Sequence, residues 1–128
     1  MKVSFYAAAV LAICAAGLLP LATPTPVPAG PITWLIPSES NVPPYQNGTA
    51  SVGDTVTYVW SMYHGVVFST SPDCNAKTLF QQIPGGADSA SGAANVTFTT
   101  PGTIYVICPV GDHCSEGQIQ KWTVSSAA

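Results

Sequence analysis

Thr103-Ile104-Tyr105-Val106-Ile107-Cys108-Pro109-Val110-Gly111-Asp112-His113-Cys114-Ser115-Glu116-Gly117-Gln118 holds the two signals that decide the reading of this chain. Its first five residues are apolar and rich in β-branched and aromatic side chains, which marks a strand. The remainder leaves that strand as a tight loop. The loop carries a thiol, an imidazole and an amide oxygen at steps of five and ten residues, Cys108, His113 and Gln118. A loop anchored on a rigid strand can turn all three side chains toward one point.

Outward from this stretch, strand signals dominate and no helical period runs long enough to build a bundle. Ile32-Thr33-Trp34-Leu35-Ile36 is a short β-rich run between prolines. Val56, Tyr58 and Trp60 alternate with Thr57, Val59 and Ser61. Val66-Val67-Phe68 and Val96-Thr97-Phe98-Thr99 give two more runs, and Gln118 to Val124 closes the domain by alternation. Asn47-Gly48, Gly53-Asp54, Pro84-Gly85-Gly86 and Pro101-Gly102 are turn signals between them. Cys74 to Ile83 has room for a short helix. About seven short strands with this punctuation predict an all-β Greek-key sandwich. Trp34, Trp60 and Trp122 are the expected large core side chains.

The start of the chain reads differently. Lys2 is the only charge in the first 38 residues, and Val3 to Leu19 is apolar apart from Ser4. A positive start, an apolar stretch and small residues at Ala16, Ala22 and Ala29 form a secretory signal peptide, expected over 1–22. The run is shorter than the roughly 20 apolar residues that a spanning helix prefers, so no membrane span is expected in the mature chain. Alternating prolines at Pro24, Pro26 and Pro28 favour an extended spacer, assigned to 23–30, with the domain at 31–125. Asn47-Gly48-Thr49 and Asn95-Val96-Thr97 are glycosylation sequons that export makes usable.

Cleavage removes Cys14. Three cysteines then remain, Cys74, Cys108 and Cys114, so one disulfide leaves one thiol over. That thiol can be an inert buried side chain, a ligand or an intermolecular link, and proximity also permits a Cys108–Cys114 bridge. Charge excludes other classes. The chain has no Arg, a formal charge of −3 and only 7% charged residues against 47% hydrophobic. It lacks the basic footprint of a nucleic-acid partner or an anionic membrane surface.

The chain has two histidines, His64 and His113. His64 follows the alternating run 56–61 and can reach the 108–118 loop from a neighbouring strand. Two His and one Cys with a weak axial oxygen or thioether form the ligand set of a blue-copper electron-transfer site. Met62 is the other candidate for the axial position, although a lone Met is more often core filler. No Ser-His-Asp set competes, because both histidines serve better as ligands. Asp112 and Glu116 flank the candidate ligands as a solvated rim or as a negative edge that selects partners.

The pattern Cys108-x4-His113-Cys114-x2-Gly117-Gln118, with His64 upstream, resembles the phytocyanins, the plastocyanin-like cupredoxins of secreted proteins. Val52-Gly53-Asp54-Thr55-Val56 and Pro101-Gly102-Thr103-Ile104-Tyr105 support the resemblance, which covers roughly Ile32 to Val124. It implies that His64, Cys108 and His113 bind one copper ion in a trigonal arrangement. It implies a disulfide between Cys74 and Cys114, and it places Gln118 at the axial position, as in the stellacyanin branch. The sequence departs from the family's pattern at Gly65, where members commonly carry Asn, and in a short His64-to-Cys74 spacing. The expected function is a secreted, monomeric, non-enzymatic one-electron carrier. Its partners would be small redox molecules or another electron-transfer protein. The rivals are a non-redox extracellular or cell-wall interaction module that keeps the fold, and a copper-dependent oxidase-like protein.

Overall fold

The computed structural model describes residues 25–127. The 1–22 leader and Cys14 lie outside the described residues. Nine strands run through the rest: β1 (Thr25–Pro26), β2 (Ile32–Thr33), β3 (Gly48–Ser51), β4 (Thr55–Trp60), β5 (Val67–Ser69), β6 (Gln81–Gln82), β7 (Gly92–Thr97), β8 (Gly102–Ile107) and β9 (Ile119–Ser125). One turn of helix, α1 (Pro37–Ser40), and a 3-10 turn at Lys77–Leu79 are the helical pieces among the described residues. Pro37 at the first helical position suits a helix start, and Asn41 ends α1 in a left-handed conformation, φ 56°.

The strands form two sheets, β1-β3-β9-β8-β5-β6 and β2-β4-β7. The chain passes repeatedly from one sheet to the other, as the expected Greek-key sandwich requires. β8 pairs antiparallel with β9 and β5, β4 pairs antiparallel with β7, and β3 runs parallel to β9. The alternation in the sequence becomes burial. Val56, Tyr58 and Trp60 of β4 point inward, as do Gln120, Trp122 and Val124 of β9. Thr25–Pro26 is extended and pairs beside Gly48–Thr49, and the chain then bends at Ala29–Gly30.

β8 explains its own composition. Val106 and partly buried Ile104 join the main core with Trp34, Tyr58, Phe98 and Trp122. Ile107 and Tyr105 face the other side, against Val67, Cys74, Phe80, Cys114 and Ile119. A strand covered on both faces has no polar face to show, hence the unbroken apolar run. The second cluster is built on the residues that flank the 108–118 loop, so it buttresses that loop from outside the sandwich.

Polar groups in the core are paired. Trp122 Nε1 donates to the Tyr58 hydroxyl (2.9 Å), which donates to Gln120 Oε1 (2.7 Å). Gln120 Nε2 in turn donates to the Gln46 carbonyl. Trp34 and Trp60 donate to the carbonyls of Gly65 and Ser89. The last two bonds fasten the loops after β4 and before β7 to the core, and those loops hold one wall of the site.

Candidate metal centre

Cys108 is the first residue after β8. Its N–H donates to the Gln118 carbonyl (3.1 Å), and this bond closes the base of the 108–118 loop. Inside the loop, His113 N–H donates to the Val110 carbonyl and Gln118 N–H to the His113 carbonyl. Gly111 and Gly117 supply the positive φ angles, 44° and 104°, that so short a path needs. His64 comes from the other sheet, beyond the end of β4. Its backbone exchanges two hydrogen bonds with Ser89, so the main chain that carries the ring is held on a rigid frame.

The three side chains meet. His64 Nδ1 and His113 Nδ1 are 3.1 Å apart, and Cys108 Sγ is 3.5 Å from His113 Nδ1. All three donor atoms lie within 4.8 Å of one another. Cys108 is 1% exposed and His64 5%, while His113 is half-buried. The Gln118 amide, fully buried, ends 3.1 Å from His64 Nδ1. With its nitrogen toward His64 it donates to Nδ1, and its oxygen accepts from Trp34 Nε1 and Leu35 N–H. With its oxygen inward it offers a neutral acceptor to the same point. Met62 is 70% exposed.

Electrostatics set the charge of the donors. Burial pushes the Cys108 thiol up; N–H bonds from Gly65 and Val110 oppose this, and the Asp88 carboxylate adds to it. Burial and the facing His113 push His64 down, and Glu39 partly offsets them. The neutral imidazole is the form that binds metals. A proton bonds only one lone pair at a time, whereas a soft cation engages two imidazole nitrogens and a sulfur at once. The donor set therefore fits copper.

Cys74 and Cys114 form a disulfide, with Cα atoms 5.7 Å apart, and Cys108 is the free thiol among the described residues. The bridge ties the loop to the segment after β5. Asp112 and Glu116 are exposed beside it. Two residues escaped the sequence reading. Asp88, from the loop before β7, lays a carboxylate oxygen where a Cβ on residue 65 would stand. Glu39, on α1, is close enough to act on His64. A lone exposed carboxylate has no local pattern, so nothing in the sequence announces either.

The plastocyanin-like domain family matches residues 34–118. Among solved structures, cucumber stellacyanin, solved with Cu2+, is similar at 20% identity over 83% of this chain and 100% of its own, with a TM-score of 0.50. Reduced rusticyanin matches at 18% identity over 62% of this chain, with a TM-score of 0.43. Oxidised plastocyanin from Dryopteris crassirhizoma matches at 22% over 60% of this chain and 81% of its own, with a TM-score of 0.41. The chain spans 63% of the rusticyanin's length. No curated protein sequence matches it. The match over residues 34–118 shows that this chain belongs to the plastocyanin-like domain family, and the likeness to stellacyanin shows a phytocyanin-like cupredoxin fold with the His-Cys-His cluster at its end.

Proposed function

We propose that the chain is a secreted type 1 copper protein that carries single electrons without enzymatic turnover. His64, Cys108 and His113 would hold the copper ion, with Gln118 as a fourth, weaker donor. The convergence of the two Nδ1 atoms and the Cys108 sulfur carries this reading. Bound copper supplies a one-electron couple. The chain supplies the rest. The Gly65 N–H, 3.5 Å from Cys108 Sγ, is placed to stabilise the thiolate. The buried pair Cys108 and Gln118 keeps water from the inner side. The closed loop base holds the donors in one place, so little rearranges when charge changes. A Gln118 amide oxygen, a harder donor than a thioether, would favour Cu(II) and hence a low potential for the class.

Residues 1–22 direct export in this reading, 23–30 form the Pro-rich link and 31–125 the copper domain. The Cys74–Cys114 disulfide supports an oxidising compartment. Asn47 and Asn95 are both exposed, which supports their glycosylation. No helix of the described residues is long and apolar enough to cross a membrane.

Adding copper(II) to the purified protein should produce an intense visible thiolate-to-copper band. Cys108→Ser should abolish the band and leave the near-ultraviolet circular dichroism of the fold. Gln118→Met should keep the colour and raise the potential. A colourless copper-loaded protein would refute the assignment.

A further inference from the structure

Beside the His-Cys-His cluster lies a hollow of about 410 Å³ that includes both histidines in its lining. One wall is the segment that leads into α1, with Leu35 and Ile36; the other is the loop after β4, with Met62 and Tyr63. Met62 and Tyr63 are 70% and 56% exposed, two of the four large exposed apolar side chains among the described residues. Glu39 is the one carboxylate in the lining. We propose that this hollow binds a small uncharged hydroxylated aromatic, of the dihydroxybenzene class, as the electron donor to the site. The inference rests on the copper reading above.

Size, wall chemistry and charge select this occupant. The volume is in the range of small-molecule pockets and admits a single substituted ring. Exposed Tyr63 and half-buried His113 offer ring faces and edges for aromatic packing. Glu39 accepts a hydrogen bond from an O–H and repels anions. Lys77 and Lys121, the cations among the described residues, are both absent from the lining, so nothing there rewards an acidic ligand. A one-electron acceptor also needs a donor that tolerates losing a single electron, and a hydroxylated ring delocalises the resulting radical. The step balances as follows. The ring gives one electron to the copper(II) ion, which becomes copper(I). One O–H bond breaks, its proton passes to water at the open mouth, and an aryloxyl radical leaves.

The test titrates hydroquinone into the full copper(I)-loaded protein, which it cannot reduce further, and follows amide NMR shifts. Saturable shifts confined to Leu35, Ile36 and 61–64 are expected. Affinity should fall about ten-fold in Tyr63→Ala, recover in Tyr63→Phe, and fall about three-fold in Glu39→Gln, as loss of one aromatic contact or one hydrogen bond implies. Shifts that grow without saturating, that map elsewhere, or that both Tyr63→Ala and Glu39→Gln leave untouched would overturn the proposal. The visible band of the copper(II) form is recorded first. A band without saturable binding overturns the hollow alone. Without a band the copper reading fails, and the same titration on the metal-free chain decides whether the hollow takes the ring.

Discussion

Tyr58 is wholly buried, and its hydroxyl sits between a donor from Trp122 and an acceptor on Gln120. Tyr58→Phe keeps the ring and strands both partners. It should cost about 1–3 kcal/mol in denaturant unfolding, the usual penalty for buried polar groups left unpaired. Tyr58 and Tyr45 also make the fold sensitive to alkali. Burial raises both phenols, Tyr45 to about 12 from an ordinary 10.0. A raised pKa means that folding favours the neutral phenol. Its contribution is complete below pH 10 and is lost as pH climbs toward 12. The denaturation midpoint should therefore fall over that window, and Tyr45→Phe should flatten the fall. Tyr58 was visible in the sequence as an inward position of the alternating run 56–61, whereas Tyr45 carried no such signal. The hydrogen-bond partners of Tyr58 were not, because Gln120 and Trp122 lie more than sixty residues away in the chain.

At the scale of elements, alternation made β4 and β9 legible, and an apolar run made β8 legible, because each writes its burial into successive residues. β3 was hidden. Asn47-Gly48 reads as a turn, yet Gly48 opens a strand that pairs with Trp122. The reason is steric, since a Cβ at Gly48 would overlap the Trp122 indole. The opposite sheet repeats the device, with Gly92 paired to Trp60 and equally unable to hold a side chain. Glycine here makes room for a cross-strand ring rather than breaking the strand. Gly48→Ala should therefore destabilise by about 1–3 kcal/mol through overpacking, measured as a lower denaturant midpoint with an unchanged slope. The single turn α1 was also hidden, as four residues are too few to show a period.

Across the whole molecule, the Cys74–Cys114 bridge closes a separation of 40 residues and joins the loop between β8 and β9 to the segment after β5. By chain-entropy reasoning a loop of 40 residues is worth about 4 kcal/mol, so the Cys74→Ser, Cys114→Ser double variant should lose stability on that scale in equilibrium unfolding. The four proposed donor residues were legible because three of them share one loop with a distinctive spacing. The hollow beside them was not, since its walls, 33–40 and 61–64, follow β2 and β4, which are far apart in sequence and meet only because those strands pair side by side in one sheet. Nor was the joint between Gly65 and Asp88, where an exposed carboxylate fills the space left by a missing side chain. That joint is a matter of fit between two loops from different parts of the chain. A larger residue at 65 needs the Asp88 side chain to turn away. Transplanting the histidine loop into another scaffold would therefore have to accommodate whatever side chain fills that space from the distant loop.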